Sequence, residues 1–460
     1  MAHIIAAVST ARAPSAIGIL RLTGEGCIDT AQAVFSGRRP LARVPDRTLV
    51  LGDLRDRRGR VIDQVLCTVS RAPNSYTGED TAEIHCHGSP AVLAAGLEAL
   101  YAAGARPAER GEFTKRAFLN GRMDLTRAEA VADLIDAASA DEAANAAGQL
   151  SGAVARRIEP VYDALTTLSA HFHVVLDYPD EDLDPFERRE AEEVMTAAHR
   201  DLSALLKTFD RGRILRTGVT AALVGRPNTG KSSLLNALAG YDRVIVTPVA
   251  GTTRDTVEET LMVGGVRLRL TDTAGIRDTE DEIERLGVER SGKAAAAAEL
   301  ALLVCDASAV PTPEDRRAAE AALGATRRVL LFNKSDLAAD PAWEAEGAGL
   351  LPEPDAFDAV LRVSAVTGQG LDRLEECLTE WYGAGELCDG SLLTNARQAE
   401  AVERALGSLE SGIAALGEGA APDAALYDAE EALSALGEIT GAVMREDITA
   451  RIFERFCVGK

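Results

Sequence analysis

The chain has 460 residues, 46% hydrophobic and 26% charged, which suits a folded protein of about two to four domains that each bury a core. Its formal net charge of −23 excludes broad electrostatic adhesion to nucleic acid or anionic lipid and leaves room only for a local basic grip. Seven cysteines, odd in number and without a C-x-x-C pair, argue against a disulfide frame or zinc site. With no long apolar run and no charged leader, a cytoplasmic protein with reduced thiols and no membrane contact is expected.

Ile4 to Val8, Ile17 to Leu22, Thr48 to Leu54, Val61 to Ser70 and Thr81 to His87 read as short strands between turn residues, and Ala91 to Ala103 as a helix. Residues 1–120 are therefore expected to form an α+β domain. Alternation puts both histidines of His85-Cys86-His87 on one strand face, but further ligands are lacking, so a structural role is expected.

Residues 121–216 turn helical. Thr126-Arg-Ala-Glu129 reads as a capping box, after which Val131, Leu134, Ile135 and Ala138 form one apolar face. A second helix is expected to run to about Leu176 and to break at the acidic, proline-bounded stretch Asp177 to Pro185. A third spans roughly Phe186 to Phe209. The basic run Arg110, Lys115, Arg116, Arg122 and Arg127 reads as a solvated face.

Residues 217–382 alternate strand and helix, as a parallel α/β sheet does. From 383 to 460 helix returns, with an apolar seam at Val402, Leu406, Leu409, Ile413 and Leu416. The simplest architecture inserts residues 217–382 between two halves of one helical domain; three domains in line is the alternative.

Gly225-Arg-Pro-Asn-Thr-Gly-Lys-Ser232 fits G-x-x-x-x-G-K-[ST], after an apolar run from Val219 to Val224 and before a helical stretch from Ser233. Glycines let the backbone wrap a phosphate, so the amides of Asn228, Thr229, Gly230, Lys231, Ser232 and Ser233 can point at the anion. Lys231 can reach the β- and γ-phosphates and the Ser232 hydroxyl can ligate Mg²⁺.

Four further stretches specify guanine. Asp272-Thr273-Ala274-Gly275 supplies a carboxylate for Mg²⁺ through water and an amide for the γ-phosphate. Gly251-Thr252-Thr253-Arg-Asp255 offers Thr253 to complete the Mg²⁺ shell. Asn333-Lys334-Ser-Asp336 places Asp336 against guanine N1–H and the 2-amino group, a donor pair that adenine lacks. Ser364-Ala365 gives backbone support to the base. Ile276 stands where many small GTPases carry a water-orienting Gln, so something else must position the water.

At this point the chain closely resembles the MnmE (TrmE) family, bacterial tRNA-modification GTPases. The strings carrying the resemblance are Ser75-Tyr-Thr-Gly-Glu-Asp80, Gly111-Glu-Phe-Thr-Lys-Arg-Ala-Phe-Leu-Asn-Gly121, Asp272-Thr-Ala-Gly-Ile-Arg277, Ile283-Glu-Arg-Leu-Gly-Val-Glu-Arg-Ser291 and Cys457-Val-Gly-Lys460. The resemblance implies a multidomain α/β protein. A folate-binding-like α+β and dimerisation domain would occupy 1–120 and a discontinuous helical domain 121–216 and 383–460. A Ras-like P-loop GTPase domain, a parallel sheet with helices on both faces, would be inserted at 217–382.

It further implies K⁺ beside the phosphates, held by Asn228 with Thr247, Val249 and Thr252, on a nucleotide-contacting loop that includes Pro248 and Ala250. Glu284 would be the catalytic carboxylate that orients water. Arg21, Glu83, Arg122 and Lys460 would bind a 5-formyl- or 5,10-methylene-tetrahydrofolate. From its place near the end of the chain, Cys457 reads equally as a reactive thiol near the folate or as a plain exposed thiol. Two stretches depart from the family: Arg12-Ala-Pro-Ser-Ala-Ile17 replaces a glycine-rich segment, and Ser89 replaces a glycine.

The implied function is a homodimeric, K⁺-stimulated GTPase that, with the flavoprotein MnmG (GidA) in a heterotetramer, adds an aminomethyl or carboxymethylaminomethyl group to C5 of a tRNA wobble uridine. The competing class is an Era-like ribosome-assembly switch. It normally carries a basic RNA-binding module, whereas acidic helices follow residue 383 here.

Overall fold

The computed structural model describes residues 3–177, 187–241, 259–270, 295–341, 343, 351–352, 354–383, 389–419, 422–443, 452–454 and 456–459. The chain divides into two compact units: residues 1–135, 149–202 and 401–460, and residues 136–148 and 203–400.

The first unit holds seven strands: β1 (Ile5–Val8), β2 (Ser15–Thr23), β3 (Phe35–Gly37), β4 (Val50–Arg55), β5 (Val61–Ser70), β6 (Thr81–Gly88) and β7 (Arg106–Pro107). They form one sheet in the order β3-β4-β5-β6-β2-β1-β7, antiparallel except for the β1–β7 pair. The short strands β3 and β7 were not legible in the residue pattern. Period-two alternation decides which face is covered. Leu20 stands opposite Ile84 and Leu22 opposite Ala82, while Cys67 and Val69 face Ile84 and Ala82 from the other side, and all six are buried. The helix Pro90–Ala102 lies on this face, close enough that a methyl at Gly96 would stand 2.5 Å from Leu20 Cδ1.

The opposite face carries a row of aligned residues, Leu51, Leu66, His85 and Ile19, across β4, β5, β6 and β2. Leu51 is 58% and Leu66 38% exposed. His85 and His87 share this face: His85 Nε2 lies 3.4 Å from Glu83 and His87 Nδ1 2.8 Å from Asp63. Among the described residues, no cluster of three or more His, Cys, Asp or Glu could hold a metal.

The helical part of this unit includes Ala153–Asp177, most of Arg188–Leu206 and of Ala396–Glu418, and Pro422–Thr440. Their buried stripes run through Ile158, Val161, Leu165 and Leu168, through Ala191, Met195, Ala198 and Leu202, through Val402, Leu406, Leu409 and Leu416, and through Ala429, Ala432, Leu436 and Ile439. The seam read at 402–416 is thus buried except at Ile413, which is half-buried.

Four sequence readings need correction. The helix Leu125–Asp136 is capped by Asp124, not Thr126: the Asp124 carboxylate accepts the Arg127 N–H at 2.9 Å and the Thr126 hydroxyl at 2.6 Å. Of the face read after it, Val131 is buried but Ile135 is 46% exposed, and the helix stops before Ala138. The second helix is two pieces, Ala140–Leu150 and Ala153–Asp177, whereas the third runs close to its reading, Arg188–Leu206, with a further helix, Phe209–Thr217, after it. Gly152 at φ 91° breaks the second helix, and the Thr208 hydroxyl, which donates to Leu205 O, stands between the third and the one that follows. Finally, Arg116 is no solvated cation; its 12%-exposed side chain pairs with Glu79 at 2.9 Å and Glu112 at 3.0 Å. The acidic stretch read as a loop lies, for residues 178–186, outside the described residues.

The second unit is built on β8 (Val219–Val224), β9 (Glu259–Val263), β10 (Val266–Leu270), β11 (Leu300–Asp306), β12 (Arg327–Asn333) and β13 (Ala359–Arg362). The sheet order is β13-β12-β11-β8-β10-β9, parallel throughout except for β9. The central strands are apolar on both faces because both are covered. Leu234 and Leu238 of the helix Lys231–Tyr241 join Leu374 and Leu378 of Leu371–Tyr382 on one face. Ala318, Ala319 and Ala322 of Pro313–Ala322 pack on the other. This is a parallel sheet with helices on both faces, and the whole chain is a multidomain α/β protein.

No helix among the described residues is long and apolar enough to cross a membrane. The six described cysteines are free, and burial pushes the Cys27, Cys67 and Cys86 thiols up to about 12.

Candidate nucleotide site

In an open parallel sheet the loops beyond the carboxyl ends of the strands form the natural crevice. Here those loops follow β8, β11, β12 and β13, and they tie to one another. The β8 strand ends at Gly225, whose φ of 153° and closeness to the next strand both demand glycine, since a Cβ would stand 2.4 Å from Val304 O. Asn228 sits in the left-handed region at φ 63°, and Thr229 is fully buried with its hydroxyl donating to Arg226 O at 3.1 Å. The helix Lys231–Tyr241 starts directly after Gly230. Its N-terminal amides therefore face the loop's concave side, the arrangement that favours an anion. Lys231 Nζ donates to Gly225 O and Arg226 O, both at 2.7 Å. Ser232 and Ser233 occupy the helix's first turn.

Beyond β12, Asn333 is 1% exposed and uses both ends of its amide. Its Nδ2 donates to Thr229 O at 2.8 Å and its Oδ1 accepts the Ala365 N–H at 3.1 Å. One side chain thereby joins the phosphate loop to the loop after β13. Lys334 is in the left-handed region at φ 64°, and its ammonium donates to Asn228 O at 3.0 Å and to Asp306 at 2.6 Å. Asp336 is exposed, and one of its oxygens accepts the hydroxyl of the fully buried Ser364 at 2.6 Å. The Asp336 carboxylate is thus exposed and held by Ser364.

Sequence reasoning missed two groups. Asp306 ends β11 and supports Lys334; a carboxylate closing a run of six apolar residues was the available signal. Burial works against its charge, but bonds from Lys334 and Ser308 outweigh it and hold the carboxyl below the usual carboxylate range. Asp315, fully buried in the first turn of Pro313–Ala322, lies 3.2 Å from Arg226 Nε, an ion pair poorly aligned for a hydrogen bond. Nothing in the local sequence pairs those two.

Thr247, Pro248, Val249, Ala250, Gly251, Thr252 and Thr253 lie outside the described residues, as do Asp272, Thr273, Ala274, Gly275, Ile276, Glu284 and Lys460.

In the first unit, Arg21 and Glu83 are opposite one another on β2 and β6, with Nε and Oε1 2.8 Å apart. The Arg21 guanidinium lies 5.8 Å from the Tyr76 and Phe113 ring centroids. Arg122 is exposed, and its stem comes within 3.2 Å of where a Cβ on Gly78 would sit. The Ser75–Asp80 segment therefore has Arg21 over one residue and Arg122 against another. Cys457 is exposed on a tail fixed by a bridge between Val458 and Arg110 and by the Ser9 hydroxyl donating to Gly459 O at 2.9 Å. Ser89 has an ordinary φ of −81°, so glycine is not required there.

A family model described as the MnmE helical domain matches residues 125–457, and one described as the N-terminus of the GTP-binding protein TrmE matches residues 4–122. The chain is 43% identical over 460 residues to the tRNA modification GTPase MnmE of Roseiflexus sp. (strain RS-1), covering 99% of each. It is 43% identical over 457 residues to the tRNA modification GTPase MnmE of Thermus thermophilus, again covering 99% of each. Among solved structures, the G domain of the T. maritima FeoB iron transporter matches at 26% identity and a TM-score of 0.25, covering 35% of this chain and 98% of that one.

Proposed function

The chain belongs to the MnmE family of tRNA modification GTPases and is a GTP hydrolase, and from that premise we propose how its residues divide the work. The observation that carries the site assignment is Asn333 joining the phosphate loop to the base-side loop, with Asp336 held by Ser364. Backbone amides from Asn228 to Ser233 hold the phosphates, Lys231 neutralises the β- and γ-oxygens, and Asp336 selects guanine.

GTP is used with Mg²⁺. Ser232, in the first turn of its helix, can offer its hydroxyl oxygen to a metal that takes oxygen ligands, with Thr253 as the second protein ligand. When bound, Mg²⁺ and K⁺ offset charge that builds on the transferring phosphoryl group. The K⁺ reading rests on the family resemblance and puts the ion at Asn228, in the left-handed region at φ 63°, with Thr247, Val249 and Thr252 completing the set. Glu284 orients the attacking water, since Ile276 has no group that can.

We read the protein as a homodimer working in the cytoplasm with MnmG and tRNA on the wobble uridine. Residues 1–120 serve dimerisation and one-carbon binding, 217–382 nucleotide hydrolysis, and 121–216 with 383–460 the helical relay between them. The exposed Leu51 and Leu66 support a self-associating face. Glu83, held by Arg21, suits the guanidine-like edge of a pterin, and Arg122 and Lys460 suit a folate's carboxylates.

The test is GTP hydrolysis in KCl against NaCl at equal ionic strength, with Glu284→Ala beside it. K⁺-specific stimulation that Glu284→Ala abolishes while nucleotide binding persists is the expected result. Equal slow rates in both salts would sink the cation assignment. Normal wobble-uridine modification in cells lacking the protein would sink the tRNA role.

A further inference from the structure

We propose that Asp306 is a positioning residue for the guanine nucleotide, acting through Lys334. This rests on the reading of Asn333, Lys334 and Asp336 as the base-recognition loop. Lysine is a flexible side chain whose ammonium can take many positions, so a lysine that must lie in one place needs its head fixed. Here it is fixed twice. Lys334 Nζ donates to Asp306 at 2.6 Å and to Asn228 O at 3.0 Å, and the Asp306 side chain is only 10% exposed.

The consequence is geometric. The methylene stem of Lys334 runs from the loop after β12 to the phosphate loop. A nucleotide held at its base by Asp336 and at its phosphates by residues 228–233 bridges those same two loops. The stem is an apolar rail for the flat face of the base, and Asp306 keeps it in line. Both ends of the tie, Asn228 and Lys334, hold left-handed backbone at φ 63° and 64°, a conformation that asparagine adopts readily and lysine rarely. Asp306 also accepts the Ser308 N–H at 3.0 Å and the Ser308 hydroxyl at 2.7 Å, so a role confined to shaping that turn is the competing account.

Binding of a fluorescent N-methylanthraniloyl-GDP to the full-length protein separates the two. Asp306→Asn keeps an oxygen for Ser308 and loses the charge that holds the ammonium. Its dissociation constant is expected to rise about tenfold. Lys334→Ala is expected to weaken binding at least as much, and Asp306→Asn added to Lys334→Ala to change it less than about twofold further. Ser308→Ala is expected to leave affinity intact. Wild-type affinity in Asp306→Asn, a full additive loss in the double variant, or a Ser308→Ala variant as weak as Asp306→Asn would each overturn the proposal. Asp336→Asn tests the underlying reading separately, by the expected exchange of guanosine for xanthosine diphosphate. Without that exchange the base reading fails, whatever Asp306 does.

Discussion

At the scale of single residues, the phosphate loop is held from behind by charge. Asp315 is fully buried, its other oxygen accepts the Thr312 N–H at 2.9 Å, and Arg226 is the cation beside it. Arg226→Ala leaves a buried carboxylate without its counter-charge and is expected to cost about 3–5 kcal/mol in urea unfolding. Adding Asp315→Asn should recover much of it; no recovery would mean the arginine stem, not its charge, matters. In the first unit, burial works against the charge of Glu112. Bonds from Arg106, the Glu109 N–H and Arg116 outweigh that and hold its carboxyl below its ordinary 4.5. A depressed folded pKa adds stability that is complete above the unfolded value and drains as pH falls through the folded one. The melting-temperature gap between the native protein and Glu112→Gln should therefore close from about pH 6 to about pH 3. A gap that ignores pH would refute it.

Elements show where local reading stops. Five of the seven strands of the first sheet were legible within a residue or two because alternation is a property of neighbours along the chain. The cap at the start of Leu125–Asp136 was not. Thr126-Arg-Ala-Glu129 has the spacing of a capping box, yet Asp124 lies two residues earlier and takes the helix N-terminus itself, drawing the Thr126 hydroxyl with it. Two competent caps in one stretch are separated only by where the helix must begin to bury Leu125 and Ala128 against Phe453. Asp124→Ala is accordingly expected to lower stability by about 0.5–2 kcal/mol, read as a shift of the urea midpoint at constant m. An unchanged midpoint would return the cap to Thr126. The split at Thr208 has the same origin: no proline or glycine marks it, and the hydroxyl that bonds Leu205 O also accepts the Leu393 N–H, 185 residues away, at 3.1 Å.

For the molecule as a whole, the uncovered row on the first sheet bears on assembly. Leu51 and Leu66 are adjacent across β4 and β5 and more than a third exposed, where the other face of the same strands is core. Leu51→Asp with Leu66→Asp is expected to convert the proposed dimer to a monomer in analytical ultracentrifugation, with circular dichroism unchanged. A dimer that persists would move the interface elsewhere. The residue order by itself determined the α/β class and is the ground on which the phosphate loop and the base-reading strings are proposed, because glycine spacing, strand–helix alternation and short motifs are local. Only the tertiary structure decided that Asn333 would reach Thr229 from 104 residues away, that Asp306 would stand beneath Lys334, and that Arg226 would meet Asp315. Those pairings follow from the strand order β12-β11-β8, which brings three carboxyl ends side by side; burying apolar strands on both faces selects that order, and the sequence spacing does not encode it.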